Sequence, residues 1–296
     1  MENLAVLSLG EKNEEKASLL MVDRSLRTPS AKVVAYKELG GKFYELLENG
    51  NVDDLALGLE EGLKGMPWQG RFFYITLPDS MVSYKCFTRS KSQAFNLKKK
   101  GEYETFAKMC LKENADKKNP QEYSLSFIGE GRDEINCYYS CAYASVVAIK
   151  TLQMVFAKLK LPLYAIEANF NGAQRLMRLS HPQGALYFAH QGNYFLSERN
   201  NVFSIFSSQE DSFTNRQVLL ALRQKSFGDV LRNEDMHALA LEDLAVLPSW
   251  ISSISKDETR GYLFYSGLGS GLRGLRLSTG KGEQNVLGKL RKLFVK

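Results

Sequence analysis

Apolar runs separated by short charged or polar breaks dominate the first third of the chain. Residues 4–9 form one such run, 11–16 a charged connection, and 19–23 a second run that ends in a carboxylate, Asp23, before the polar turn 24–30. Runs 31–39 and 42–47 flank Gly40-Gly41, a glycine pair of the kind that closes a hairpin. These runs predict an N-terminal β-meander. From Asp53 the period changes, with Leu55, Leu59 and Leu63 on one helical face and acidic residues in the first turn, where they suit the helix dipole. Residues 71–78 and 81–88 then read as strands. Strand, helix and strand in that order require a crossover and a mixed sheet.

Helical spacing returns over 98–115 through Tyr103, Phe106, Ala107, Cys110 and Leu111, followed by a strand at 123–128 and a charged turn at 129–134. From 135 Tyr and Cys stand at nearly every second position, which suits a strand with a buried face. Val146, Ile149, Leu152, Val155, Phe156 and Leu159 then share one side of a helix that Pro162 ends, because proline biases its predecessor away from helix. A strand at 161–166 and a helix from Glu167 to Met177 follow. Beyond 180–182 a second meander is predicted at 185–190, 194–198 and 202–207, then helices over 215–232 and 237–254, a strand at 261–266 and a glycine-rich turn at 267–274. Two meanders, each followed by helices, predict an α/β protein of two pseudo-duplicated lobes with mixed sheets and a cleft between them. The first lobe spans 1–168 and contains an inserted α+β subdomain at about 80–160; the second spans 169–296, with a linker helix, the second meander and the glycine-rich turn.

Composition narrows the class. A chain of 296 residues that is 44% apolar fills two cores. No apolar run approaches the ~20 residues of a membrane span, and the N-terminus lacks a basic-then-apolar signal, so a cytoplasmic location is expected. Cys86, Cys110, Cys137 and Cys141 lie in apolar surroundings, as expected of a reducing compartment, and the scattered His181, His190 and His237 complete no zinc spacing. The net charge of +6 collects at Lys98-Lys99-Lys100 and in the tail, where Leu287, Leu290 and Leu293 alternate with Lys289, Arg291, Lys292 and Lys296. That alternation suits a segment beside an anionic membrane surface or ahead of a membrane helix, and equally a plain amphipathic terminal element.

Of the candidate motifs, Gly269-x-Gly271-x-x-Gly274 has the form of a dinucleotide fingerprint, yet only 22 residues follow Gly274, too few to complete a Rossmann unit. Gly280-Lys281 is followed by Gly282, which excludes a phosphate loop of Walker type. What remains is a tight strand-to-helix turn, either facing a phosphate or nucleoside or marking a close packing point. No Gly-x-Ser-x-Gly elbow occurs. Asp23 and Glu167 end apolar strands, where acid–base carboxylates are often placed. The aromatic strand 137–143 and the basic pI keep single-stranded nucleic acid in view, without a recognition motif.

Several stretches combine into one wider pattern: Val22-Asp23-Arg24-Ser25 before Ala31–Tyr36; Tyr74-Ile75-Thr76-Leu77-Pro78 before 81–87; the helix 146–160, strand 163–167 and helix 168–177; the meander 185–206; and Tyr265-Ser266-Gly267-Leu268-Gly269-Ser270-Gly271. In this order they resemble the actin-like proteins of type IV pilus assembly, the PilM type, and equally the cytoplasmic domain of general secretion pathway protein L. The resemblance implies an actin-like ATPase (ribonuclease H-like) fold, with a vestigial nucleotide cleft at Asp23, Ser25, Gly267, Gly269 and Gly271. Two departures stand out. Arg24-Ser25 replaces the family's glycine in the first hairpin, and Phe188-Ala189-His190-Gln191-Gly192 offers no Asp for magnesium in the second. Without these groups phosphoryl transfer loses its metal and its backbone approach, so ATP hydrolysis is not expected, whatever ATP binding persists at 267–271.

The same resemblance implies a scaffold at the cytoplasmic face of an inner-membrane pilus or secretion platform. Its expected partners are a membrane protein's cytoplasmic segment, held in a groove beside the inserted subdomain, and the assembly ATPase; no metal or nucleic acid is implied. The alternatives are an active actin-like ATPase or kinase relative, and a basic single-stranded nucleic-acid binder.

Overall fold

A computed structural model describes residues 3–25, 30–96, 99–113, 122–132, 136–180, 185–190, 193–197, 203–207, 236–239, 247, 249–252 and 261–275. Its largest element is a six-stranded sheet. The predicted meander supplies β1 (Asn3–Leu9), β2 (Lys16–Arg24) and β3 (Ala31–Gly40), each antiparallel to the next. On the other side of β1 lie β4 (Phe72–Leu77) and then β8 (Leu163–Ala168), parallel to it and to each other. A two-residue strand, β13 (Ile251–Ser252), pairs with β3, so the order is β13-β3-β2-β1-β4-β8.

Helices cover both faces, which explains why β1 and β2 are apolar at almost every position instead of every second one. Here α1 (Phe43–Glu48), α2 (Val52–Leu63) and α4 (Val146–Lys158) pack together. The Gly62 backbone of α2 meets Leu19 and Leu39, and Phe156 of α4 meets Phe73, with ring centroids 5.4 Å apart. The even-numbered positions Leu4, Val6, Leu20, Val22 and Tyr74 point the opposite way, onto α6 (Tyr262–Gly274), which lies beside α5 (Asn169–Ser180). The Asn51 side chain caps α2 by accepting the Asp54 N–H at 3.2 Å, and Ser145 caps α4.

The inserted unit is a separate antiparallel sheet, order β5-β7-β6, built from β5 (Val82–Ser90), β6 (Tyr123–Arg132) and β7 (Asn136–Ser145). With α3 (Lys100–Glu113) it encloses its own small core of Phe106, Cys137, Tyr139 and Tyr143. The second meander forms β9 (Ala185–His190), β10 (Asn193–Ser197) and β11 (Phe203–Ser207), joined by β12 (Met236–Leu239) in the order β11-β10-β9-β12.

Three sequence expectations give way. Residues 42–47 are not the second arm of a hairpin: Gly41, at φ +144°, turns the chain out of β3 into α1, where Phe43 and Leu47 are buried one turn apart. The start of the helix expected at 237–254 is instead the strand β12. The strand and glycine turn expected at 261–274 are one continuous helix, α6, buried on all sides. Glycine costs about 1 kcal/mol per residue in a helix, but here its missing side chain is what lets the helix lie against the sheet and against α5. The helix expected at 215–232 lies outside the described residues.

Candidate functional site

The strands β1, β4 and β8 run parallel, and their carboxyl ends, at Leu9, Leu77 and Ala168, share one edge of the sheet. Open α/β sheets bind ligands outside this edge. In this chain the edge is filled by its own side chains. Glu11 follows β1 and Gly10, and its carboxylate accepts the Asp79 N–H at 2.6 Å, the Ser80 N–H at 3.4 Å and the Ser80 hydroxyl at 2.5 Å. The Glu14 carboxylate in turn accepts the Glu11 N–H at 3.1 Å, within the β1–β2 hairpin. That hairpin is tight: a Cβ on Gly10 would lie 2.5 Å from the Lys16 carbonyl oxygen.

Asn169, directly after β8, donates to the Leu9 carbonyl at 2.7 Å and accepts the Thr76 hydroxyl, tying the ends of the three parallel strands together. Asp79 accepts the Phe170 N–H at 2.7 Å, in the first turn of α5, and the Tyr262 hydroxyl at 2.6 Å, in the first turn of α6. Burial pushes the Asp79 carboxyl up to about 8, with the charges of Glu11 and Glu14 adding to the rise and the two hydrogen bonds opposing it. Chemically, this edge presents Glu11, Glu14 and Glu15 in the first hairpin with the buried Asp79 beside it, and the Glu11 amide is already bonded to the Glu14 carboxylate.

Beside this edge lies a second polar cluster, centred on Glu167 of β8. Its carboxylate takes a bidentate pair from Arg175 of α5, at 2.9 and 3.1 Å, and a further bond from Arg273 of α6 at 2.7 Å. The Ser270 hydroxyl and the Tyr74 hydroxyl, the latter at 3.1 Å, complete the set. Burial raises the Glu167 carboxyl, but the two guanidinium charges, with the Arg175 and Ser270 bonds, outweigh it and hold the group down at about 2. A carboxylate so committed is a structural anchor and is poorly suited to exchanging protons near neutral pH.

The residues expected at the cleft are placed as follows. Asp23 lies opposite Asn3, at the amino end of β1, and is paired with the buried Arg71. Ser25 lies just beyond it, its N–H bonded to the Ser30 carbonyl. Glu167 and Ser8 both stand opposite Thr76, so Asp23 and Glu167 sit at levels about five residues apart along β1, roughly 17 Å, and do not meet. Gly267, Gly269 and Gly271 all belong to α6. Gly267 rests on Ser8, Val6 and Leu20, Gly271 on Val22 and Val6, and Gly269 on the backbone of Gly172 in α5. The structure thus brings Gly271 near the end of β2, with the sheet itself filling the space beside it. Sequence reasoning passed over Glu11, Asp79, Arg175 and Arg273. Glu11 had a usable signal, since it stands in the turn between the first two apolar runs, one strand earlier than the hairpin chosen. The others meet only through tertiary contacts.

Outside these clusters, a groove of about 460 Å³ is lined by Leu63, Met66, Trp68, Leu159 and Leu161, at the end of α4 far from the inserted sheet. Among the described residues no group of three or more His, Cys, Asp or Glu could hold a metal ion, and no helix is long and apolar enough to cross a membrane.

No protein-family model matches the chain, and no curated protein does. Among solved structures it is similar to a chain of the PilM-PilN type IV pilus biogenesis complex, at 16% identity and a TM-score of 0.58, over 92% of this chain and 98% of that one. The fold is actin-like. Two weaker likenesses are to the cytoplasmic domain of EpsL, an inner membrane component of the type II secretion system of Vibrio cholerae, and to the ethanolamine utilization protein EutJ of Carboxydothermus hydrogenoformans. EpsL aligns at 12% identity and a TM-score of 0.45 over 92% of this chain and 95% of that one. EutJ aligns at 10% identity and a TM-score of 0.34, over 92% and 90%.

Proposed function

We propose that the chain is a cytoplasmic scaffold of a type IV pilus or type II secretion inner-membrane platform, and that it does not hydrolyse ATP. The observation that carries this reading is the actin-like fold shared with the PilM-PilN complex over nearly the whole of both chains. The filled edge at Glu11, Asp79 and Asn169 supports the second half of it, because the hairpin that would face a phosphate is acidic and internally bonded.

In this proposal the chain binds a short cytoplasmic segment of a membrane partner, with the assembly ATPase as a second contact. β8 forms one edge of the large sheet and β6 one edge of the inserted sheet, and such edges take up extended peptides through main-chain hydrogen bonds. Co-expression with the genes encoded beside it, followed by purification, is expected to recover an inner-membrane platform subunit. Failure to recover any such subunit would sink the scaffold reading. Calorimetry and phosphate release with ATP and magnesium are expected to show no turnover; turnover lost on Asp23→Ala would establish the rival ATPase reading.

A further inference from the structure

We propose that the outward face of α2 and α4 is a self-complementary surface on which a second copy of this chain docks. The two helices lie side by side on one face of the six-stranded sheet, and each turns a stripe away from it. On α2 that stripe is Asp53, Leu57, Glu60 and Glu61; on α4 it is Val147, Lys150, Met154 and Lys158, each set at helical spacing and each residue exposed. Among the described residues four large apolar side chains stand exposed, and three of them are here: Leu57 and Met154 at 57% and Val147 at 50%. Asp53 and Lys158 meet at 2.6 Å from one helix to the other, and Leu57 and Met154 each lie one turn from that pair.

Charge decides the occupant. Every charged residue of α2 is an acid, Asp53, Asp54, Glu60 and Glu61, and every one of α4 is a base, Lys150 and Lys158. A base follows only beyond the end of α2, at Lys64. Glu60, Glu61 and Lys150 have no ion-pair partner among the described residues. A partner of one sign would be attracted by one helix and repelled by the other. A second copy meets no such conflict, because a two-fold axis running along the seam between the helices lays α2 of each copy on α4 of the other, acids against lysines. The face is two helices wide and about 18 Å long, so it buries on the order of 1,000 Å² over both copies, at the low end for a specific contact. The dimer is therefore weak, concentration-dependent and sensitive to salt.

Sedimentation equilibrium of the full chain from about 1 to 300 μM, a span suited to weak association, tests this without any other protein. The wild type should pass from monomer to dimer in that range at low salt, and its dissociation constant should rise about tenfold in about 0.5 M salt. Two variants each reverse one side at exposed positions: Glu60→Lys with Glu61→Lys, and Lys150→Glu with Lys158→Glu. Alone, each should self-associate at least about tenfold more weakly, because both helix contacts then meet like charge. Mixed in equal amounts, the two should pair as tightly as the wild type, since each altered helix then faces its opposite. Leu57→Ser, which changes no charge, should also weaken the dimer. A wild type that stays monomeric throughout, a dimer indifferent to both reversals, or a mixture that does not pair overturns the proposal. A monomeric chain whose reversed variants lose a platform subunit on co-expression overturns it too, and gives the face to that partner.

Discussion

Gly172 of α5 and Gly269 of α6 meet backbone to backbone: a Cβ built on Gly269 would lie 1.9 Å from the Gly172 carbonyl oxygen, and one on Gly172 would lie 2.0 Å from that of Ser266. No side-chain rotation relieves a clash with backbone. The two helices can cross this closely only because both positions are glycine.

Gly269→Ala is accordingly expected to push α5 and α6 apart and destabilise the protein by about 3 kcal/mol or more, despite alanine's better helix propensity. Gly101→Ala, where a Cβ would meet nothing within 4 Å, serves as the control and should be neutral or slightly stabilising. Urea unfolding of the two variants checks the contrast.

Glu167→Gln should be among the most damaging single substitutions, because it removes the carboxylate that the buried Arg175 and the part-buried Arg273 both bond. A loss of about 3–5 kcal/mol is expected, since removing one partner of a buried ion pair strands the other. The Glu167→Gln, Arg175→Met double variant should recover part of that loss. Recovery of none, in a denaturation cycle, would show that the charges are not coupled.

The same carboxyl predicts an acid limit. Its folded value is depressed to about 2 from 4.5, so its contribution is fully present above pH 4.5 and is lost as pH falls through about 2. The amount is on the order of 3 kcal/mol. A pH series of thermal midpoints should drop across that interval in the wild type and less steeply in Glu167→Gln.

Arg71 ties Asp23 to the loop before β4, donating to the Asp23 carboxylate and, through Nε at 2.5 Å, to the Pro67 carbonyl. Arg71→Met should therefore cost about 2 kcal/mol through lost charge-assisted bonds in a mostly buried setting. The check is the urea midpoint. Asn51→Ala should remove the α2 cap at a cost of about 1 kcal/mol.

Much of the first lobe was legible because its strands and amphipathic helices carry local periodicity. The run 31–39, the leucines of α2 and the stripe from Val146 to Leu159 each name their own element. Glu11 and Asp79 were less legible. One is a turn acid among several, the other a residue after Pro78, and only the shared carboxyl edge of β1, β4 and β8 makes them neighbours. α6 misled for a different reason. Six of its thirteen residues are Gly or Ser, a local preference for turns that packing against Val6, Val22 and Gly172 overrides.

By itself the sequence determined the meanders, the inserted unit and the order of strands and helices over most of the first lobe, because those follow from hydrophobic period and capping residues only a few positions apart. Tertiary structure alone decided that Asp23 is tied to Arg71, and that the glycines of α6 are a packing surface. It alone also placed Glu167 at the centre of two arginines. Each of these depends on which residues from distant segments share a few ångströms of space, and that is set by sheet register and helix crossing, which leave no periodic trace along the chain.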